Sequence, residues 1–280
     1  MPSSINTYVI ILAAGKATRL RPLSNTIPKP LIKINGIPII SRIIHTFKEA
    51  GFINFIILVG YKQQAIKTEL LKIHDIKLEF IEQTNQLGMA DGLLLCLNQF
   101  SEKKRKQDLF NFFVTAADVV FSKQKINQMF SLYKNANADI ILGLMKSKDK
   151  RIASGHGNVK ISKDSKLIRD SDMKHGLKID DIVEKPEENQ ILSEYYSLPF
   201  YIFNQKIISY LEEVDFSLRG EKEMQDSIKA SIQKGDIVRG INIIDHDITI
   251  ENIGSYHLTF IDDIIKMDKR FRYIEIDKKF

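Results

Sequence analysis

The chain has 280 residues, of which 44% are hydrophobic and 27% charged, a composition typical of a globular protein. Its formal net charge of +6 slightly favours small anionic ligands. The sequence lacks the concentrated basic stripe that most nucleic-acid binders carry. The apolar runs are too short to span a bilayer and no signal peptide is recognisable, so we expect a cytoplasmic protein with no membrane and no nucleic-acid partner.

Strand and helix patterns alternate through the first half of the chain. Strands are predicted at residues 8–12, 53–60, 77–82, 109–118 and 138–145. Helices are predicted between them, at residues 39–51, 62–73, 89–100 and 126–136. This alternation predicts βαβ units, and therefore an α/β fold with a Rossmann-like, doubly wound, mostly parallel sheet.

The pattern loosens after residue 146. Strand-like segments follow at residues 157–162, 179–186, 199–204 and 237–254. Helices are predicted at residues 205–211 and 224–233, and a helical tail over residues 256–272. The sequence therefore predicts one compact domain with a smaller β-rich portion and a C-terminal helical tail, divided into halves at residues 1–125 and 126–280.

The segment "LAAGKATRLRPLSNTIPKPL" at residues 12–31 follows the first predicted strand. Its small residues Ala13, Ala14 and Gly15 let backbone N–H groups approach an anion, while Arg19 and Lys29 add positive charge. Prolines on both sides of Lys29 restrict the backbone there, as expected where a charge must be placed. The alternative, a surface turn with incidental basic residues, explains this combination less well.

The same segment resembles the signature of the sugar-1-phosphate nucleotidyltransferases, roughly L-x-x-G-x-G-T-R-L-x-P-L-T-x-x-x-P-K-P-L. The chain departs from it at Ala17, usually glycine, and at Ser24, often threonine. The resemblance implies transfer of a nucleotidyl group from an NTP to a sugar 1-phosphate, and is strongest for UTP–glucose-1-phosphate uridylyltransferases and glucose-1-phosphate thymidylyltransferases. It implies that residues 1–125 bind the nucleotide and residues 126–280 the sugar phosphate.

"EQTNQLGMADGL" resembles the base-reading segment of that family, which implies that Gln83 and Gly88 contact the base. A glutamine amide offers one donor and one acceptor, which suits uracil or thymine, so UTP or dTTP is favoured. Asp118 and Asn252 match the family's metal positions, which implies Mg²⁺. Many relatives carry aspartate where this chain has Asn252, and the loss of one charge is expected to weaken Mg²⁺ binding.

"IVEKPEE" matches the E-K-P motif of the family, which implies that Glu184 accepts sugar hydroxyls and Lys185 contacts the sugar phosphate. "HGNVKI" resembles its sugar-side turn, with Gly157 as a backbone contact. The family's N-x-G-x-Y pattern is altered here, at Ser197 and Pro199. The resemblance thus implies Arg19, Lys29 and Lys185 as the catalytic cations, which position and neutralise phosphates.

Three alternatives stay open at this stage. One is a cytidylyl- or guanylyltransferase for another phosphorylated alcohol, such as mannose 1-phosphate or phosphocholine. Another is a non-catalytic regulatory homologue that binds nucleotide sugars, which the altered positions would suit. The third, a nucleic-acid binder, depends on the run "KKRK" at residues 103–106 alone, which reads better as a solvated loop. Homo-oligomerisation is supported by the resemblance only, and the six histidines show no metal-binding spacing.

Overall fold

A computed structural model describes residues 5–103, 111–163, 165, 176–244, 248–249 and 251–277. The strands are β1 (Ile5–Ala13), β2 (Lys33–Ile34), β3 (Ile37–Pro38), β4 (Phe52–Val59), β5 (Lys77–Glu82), β6 (Asn111–Ala116), β7 (Ile140–Lys146), β8 (Gly157–Ile161), β9 (Leu177–Val183), β10 (Tyr195–Asn204) and β11 (Val238–Asn242). The helices are α1 (Ile39–Glu49), α2 (Gln63–Leu70), α3 (Met89–Lys103), α4 (Lys123–Asn135), α5 (Ile207–Glu213), α6 (Met224–Gln233) and α7 (Ile261–Asp277).

One nine-stranded sheet runs through the described part of the chain, in the order β5-β4-β1-β6-β10-β7-β11-β9-β8. All of these strands except β9 and β10 run in the same direction. Within this sheet, the strands that precede residue 125 form the all-parallel side and the later strands form the mixed side, while β2 and β3 pair with each other in a separate antiparallel sheet. The predicted α/β, doubly wound, mostly parallel architecture is confirmed.

Helices cover both faces of the sheet because side chains alternate along each buried strand. On β1, Val9 and Ile11 join the core that contains Phe47 of α1. Ile10 points to the other face, where the core contains Leu93 of α3 and Ile228 of α6. The two cores fix the sheet from both sides, so that the loops at its edges are held in place.

A strand was predicted over residues 237–254. In the described residues this prediction is wrong beyond residue 242, where β11 ends. β11 pairs in parallel with β7 and ends at Asn242, opposite Leu144. In this register, residues from 245 onward would lie beyond the end of β7 at Lys146, so β7 offers them no ladder to join. The chain turns instead, with Asn252 Oδ1 accepting the Thr249 N–H at 2.9 Å. Residues 104–106 of the "KKRK" run lie outside the described residues.

The C-terminal helix begins at Ile261, five residues after the predicted start. Asp263 explains the later start, because its Oδ2 accepts the N–H groups of Thr259 and Phe260 at 2.8 and 2.7 Å. These contacts satisfy backbone donors ahead of the first turn, as a capping side chain does. Among the described residues, none of the helices combines the length and the apolar character that a membrane span requires.

Candidate active site

A cavity of about 380 Å³ opens beyond the carboxyl ends of β1 and β6. Its walls come from the loop after β1, the turn after β6, the segment after β9, strands β8 and β10, and the loop before α6. The carboxyl edge of an open α/β sheet is the usual place for a ligand, because the loops converge there. The predicted site residues that line it are Arg19, Lys29, Asp118, Gly157, Glu184 and Lys185.

A smaller cavity of about 160 Å³ adjoins the first and shares Ala17, Lys29, Ala116 and Asp118 with it. Ala13 and Gly15 line this second space, as the anion-loop prediction requires of residues that approach a phosphate. Ala17 has a left-handed backbone with φ 51°, which a glycine would adopt without strain. The glycine that the family signature has at this position is therefore explained by backbone geometry.

Lys29 and Asp118 form an ion pair inside the cavity, with Lys29 Nζ donating to Asp118 Oδ2. The same carboxylate oxygen lies 3.1 Å from His257 Nε2. Burial alone would raise the pKa of Asp118, but the charges of Lys29 and His257 hold it well below its usual range. Asp118 is therefore ionised across the whole neutral range, and it holds the Lys29 ammonium in one place.

Two histidines that the sequence did not single out join this cluster. His257 Nδ1 lies 3.4 Å from His156 Nε2, and His156 Nδ1 lies 3.2 Å from the Ile152 carbonyl. Desolvation, aided by the neighbouring His257, lowers the pKa of His156 to about 3, so this ring is neutral. Because 101 residues separate the two histidines along the chain, no spacing rule would have paired them.

The base-reading segment lies against the loop after β1. Gln83 is buried and its Nε2 donates to Asp91 Oδ2 at 2.9 Å, a partner that the sequence analysis did not identify. Gln86 Nε2 donates to the carbonyl of Ala14 at 2.7 Å, which ties the two segments together. Among the residues that line the two cavities described above, neither Gln83 nor Ala14 is found.

Gly88 joins the base-reading segment to the loop before α6. Its φ of +109° is a left-handed conformation, and a Cβ here would lie 2.4 Å from the Lys222 carbonyl oxygen. The neighbouring backbone pairs with Lys222 on both sides, through Lys222 N–H to Leu87 O at 2.7 Å and Ala90 N–H to Lys222 O at 3.1 Å. Gly88 lies outside the lining of the two cavities, and glycine is required there for this close backbone approach.

The other side of the large cavity carries carboxylates and amides. Glu184 Oε1 lies 3.1 Å from Lys185 Nζ and 3.3 Å from the guanidinium of Arg219. Burial raises the pKa of Glu184 in spite of these two cations. Arg219 also contacts Glu223 at 2.7 Å, a connection that only the folded chain reveals.

Gly157 fits against this wall because it has no side chain. A Cβ would lie 2.7 Å from Gln225 Cγ and 2.9 Å from Ser197 Oγ. Gln225 Nε2 lies 3.3 Å from Ser197 Oγ and 3.5 Å from Tyr201 Oη. The residues at the altered N-x-G-x-Y pattern thus line the cavity, together with an amide that the sequence analysis did not name.

Asp118 is a carboxylate in the cavity that fits a divalent cation. Its Oδ1 is buried and has no hydrogen-bond partner among the described residues, so one carboxylate oxygen is unused. No group of three or more His, Cys, Asp or Glu side chains suited to a metal occurs in the described chain. Such a site suits Mg²⁺, which binds through one or two carboxylates and completes its shell with substrate phosphates and water.

Asn252, the second predicted metal ligand, is not among the described residues that line the cavity. Its side chain closes the turn with Thr249 instead. A metal role for Asn252 stays a prediction, and the side chain that faces Asp118 here is His257.

Comparison with known proteins places these features in a family context. The sequence matches the nucleotidyl transferase family over residues 8–246. It is 30% identical to the bifunctional protein GlmU of Methanocaldococcus jannaschii over 234 residues, which are 84% of this chain and 48% of that protein. It is 27% identical to the UTP–glucose-1-phosphate uridylyltransferase AglF of Haloferax volcanii over 235 residues, 84% of this chain and 87% of the relative. The chain spans about half the length of its bifunctional relatives, 48% in this example.

Solved structures share the fold at low sequence identity. A UDP-glucose pyrophosphorylase in complex with UDP-glucose superimposes with a TM-score of 0.74 and 19% identity, covering 95% of this chain and 98% of that one. The inositol-1-phosphate CTP transferase from T. maritima gives a TM-score of 0.67 at 17% identity, covering 95% and 97%. Proteins that share this fold therefore differ in the nucleotide and in the phosphorylated alcohol that they use.

Proposed function

The chain belongs to the nucleotidyl transferase family, and from that membership we propose that it joins an NTP to a sugar 1-phosphate, giving an NDP-sugar and pyrophosphate. We propose UTP or dTTP as the nucleotide and glucose 1-phosphate as the sugar phosphate. Residues 1–125 would bind the nucleotide and residues 126–280 the sugar phosphate. A cytoplasmic location and a homo-oligomeric state stay predictions from the sequence.

The observation that carries this proposal is that one cavity contains Lys29 and Lys185, each held by a carboxylate. Lys29 follows the first strand, and Lys185 follows β9 on the mixed side of the sheet. Two substrates with several negative charges each must meet in such a reaction. Cations fixed at two places in one cavity reduce the repulsion between the two substrates and allow both to bind there together.

In the proposed reaction an oxygen of the sugar phosphate attacks the α-phosphorus of the NTP. The new P–O bond forms as the bond to the bridging β-phosphate oxygen breaks, and its electron pair leaves with pyrophosphate. The attacking oxygen is already an anion, so no protein base is needed and catalysis depends on positioning and charge neutralisation. Arg19 would hold the leaving pyrophosphate, Lys29 the α-phosphoryl group and Lys185 the incoming phosphate.

Asp118 lines the cavity and would hold Mg²⁺ through its Oδ1, which is buried and has no hydrogen-bond partner among the described residues. When bound, this cation supplies neutralisation of phosphate charge. Asp118 also orients Lys29 before any substrate arrives, because the ion pair is already formed. Its low pKa keeps both functions intact down to acidic pH.

The choice of substrates is supported by two sets of polar side chains. Gln83 presents an amide whose Nε2 is fixed by Asp91, which leaves Oε1 to accept the N3–H of uracil or thymine. On the other side, Glu184 Oε2 is buried without a partner in the described chain. Together with Gln225 and Tyr201 it offers hydrogen-bonding groups for several sugar hydroxyls.

The test is pyrophosphate release by the purified chain with Mg²⁺, using UTP, dTTP, CTP, GTP and ATP in parallel. Each nucleotide is combined with glucose 1-phosphate, mannose 1-phosphate, inositol 1-phosphate or phosphocholine, and the background is read without acceptor. We expect release with UTP or dTTP and glucose 1-phosphate. Release with CTP or GTP alone would reassign the substrates. Binding of nucleotide without release from any pair would favour a regulatory homologue.

A further inference from the structure

The carbonyl of Ala14, at the start of the anion loop (residues 14–31), is held by two donors. The Tyr61 N–H donates to it at 3.1 Å and Gln86 Nε2 at 2.7 Å. A trans peptide unit carries its C=O and N–H on opposite sides, so the N–H of Gly15 points away from Tyr61 and Gln86. Gly15 lines the smaller cavity, and its N–H has no hydrogen-bond partner among the described residues. The two donors therefore fix the orientation of an N–H group that is available to an anion.

The later part of the anion loop is held by the same turn after β4. Tyr61 Oη donates to the Ser24 carbonyl at 3.1 Å. Lys62 Nζ donates to the carbonyls of Asn25 and Thr26 at 2.6 and 2.8 Å. A charged donor forms stronger hydrogen bonds than a neutral one, and here one ammonium ties two successive carbonyls. The turn therefore contacts the anion loop near its start and again just before its proline-flanked lysine.

The backbone of Lys62 shows that its side chain is kept at some cost. Its φ of 52° is left-handed, a conformation that glycine adopts more readily than a residue with a Cβ. Lys62 immediately precedes α2, but its side chain makes no capping hydrogen bond to that helix. The ammonium reaches the anion loop instead. A strained residue whose side chain serves a loop beside the cavity points to a role in function.

We propose that Lys62 and Gln86 are positioning residues for the nucleotide phosphates, because they hold the anion loop with its N–H groups free for an anion. The proposal rests on the proposed function for the presence of a nucleotide. Both residues lie outside the lining of the two cavities, so they act through the loop and not on the ligand. Donors that are already oriented bind an anion more tightly than donors that must be ordered first. Gln86 also belongs to the base-reading segment, so its contact connects that segment with the phosphate-binding loop.

The test is the affinity of the whole chain for inorganic tripolyphosphate with Mg²⁺, measured by isothermal titration calorimetry. Tripolyphosphate has no base and no sugar, so the result is independent of the substrate assignment. We expect Lys62→Met and Gln86→Met each to weaken binding about 3- to 10-fold, the effect of losing a hydrogen bond. Lys62→Arg keeps a charged donor and should recover most of the affinity. Gln63→Met is the matched control, since the Gln63 amide contacts Lys67 of α2 and not the anion loop.

Lys62→Gly separates the contact with the loop from the backbone strain. Glycine adopts the left-handed conformation without strain, which offsets part of the stability lost with the two hydrogen bonds. We expect this variant to unfold at nearly the same urea concentration as the unmodified chain, and to bind tripolyphosphate as weakly as Lys62→Met. Asn137→Gly is the control for strain, because Asn137 has a φ of 45° and is exposed outside the two cavities. It should keep full affinity.

Steady-state kinetics gives a second readout. We expect Lys62→Met and Gln86→Met to raise the KM for the nucleotide and to leave the KM for the sugar phosphate unchanged, whereas a general loosening of the fold would raise both. Unchanged tripolyphosphate affinity in both variants, an equal loss in Gln63→Met, or no binding to the unmodified chain at millimolar concentration overturns the proposal. Pyrophosphate release with unchanged affinity in the variants defeats this inference alone. Weakened binding in the variants without pyrophosphate release from any substrate pair defeats the proposed reaction alone.

Discussion

Gln83 and Asp91 are joined by a hydrogen bond of 2.9 Å that fixes which way the glutamine amide points. A carboxylate only accepts, so the amide nitrogen must face Asp91 and Oε1 must face away from it. In the proposed function, Oε1 would then accept from a base with an N–H at position 3, as uracil and thymine have. Cytosine has a lone pair at that position and would meet Oε1 with repulsion.

Asp91→Ala is therefore expected to reduce the preference for UTP over CTP about 10- to 100-fold, the value of one hydrogen bond to a charged group. The measurement is the ratio of kcat/KM for the two nucleotides. Asp91→Asn still offers Oδ1 as an acceptor and should keep most of the preference. An Asp91→Ala enzyme with an unchanged ratio would show that Asp91 has no part in reading the base.

Gly88→Ala tests the connection between the base-reading segment and the loop before α6. A Cβ at Gly88 would lie 2.4 Å from the Lys222 carbonyl oxygen, on a backbone with φ +109°. The pairing around Lys222 must then open, so we expect a loss of about 1–3 kcal/mol in unfolding free energy and higher KM values for both substrates. Urea unfolding and steady-state kinetics measure these two effects.

Gly235→Ala is the matched control for strain alone. Gly235 has a similar φ of +92°, but a Cβ there meets nothing within 4 Å. It should lose a similar or smaller amount of stability while both KM values stay unchanged. Equal KM values in Gly88→Ala and Gly235→Ala would mean that the backbone pairing around Lys222 has no part in substrate binding.

The fold was predictable from the sequence where its signals are local. The bounds of β5 and α6, Lys77–Glu82 and Met224–Gln233, match their predictions because short-range periodicity determines them. The segment over residues 237–254 was also predicted as strand-like, which is wrong beyond residue 242 in the described residues; the register of β11 against β7 would place residues from 245 onward past the end of β7 at Lys146. Whether a strand continues depends on a distant partner, and periodicity within the segment carries no information about that partner.

The candidate site likewise contains residues that a local motif predicted and contacts that only the folded chain makes. Arg19 and Lys29 lie in one continuous motif, so the sequence alone brought them together. The contact of His156 with His257 spans 101 residues, and an isolated bridge to Val119 holds His257 beside Asp118. Contacts made by the sheet topology between distant segments, such as this one, are the part of the site that no motif predicted.

Lys29→Ala tests the cation that Asp118 holds in the cavity. Loss of a preorganised charge at the α-phosphoryl group is expected to lower kcat about 100- to 1,000-fold, with little change in KM. Lys33→Ala, an exposed lysine of β2, is the matched control and should keep full activity. A Lys29→Ala enzyme as active as Lys33→Ala would remove Lys29 from the mechanism.

Glu184→Gln is expected to change the stability of the fold and the activity in opposite directions, and the change in stability should depend on pH. Burial raises the folded-state pKa of Glu184 above its unfolded value, so its protonated form is the one that folding favours. The stability that this group contributes is complete below the unfolded pKa and is lost as the pH rises through the folded pKa. Glutamine mimics the protonated form and has no charge to bury. The variant should therefore unfold at higher urea concentration than the unmodified chain near pH 7.5, and the difference should shrink towards pH 4.

The same substitution should cost activity, because an amide is a weaker acceptor for sugar hydroxyls than a carboxylate and leaves Lys185 without its carboxylate partner. Glu188→Gln, at an exposed carboxylate paired with Lys150, is the control and should change neither pH dependence nor turnover. Higher stability with lower activity near pH 7.5 would mean that the buried charge of Glu184 is kept for the substrate. Lower stability at that pH would mean that its contacts with Lys185 and Arg219 outweigh the cost of burial.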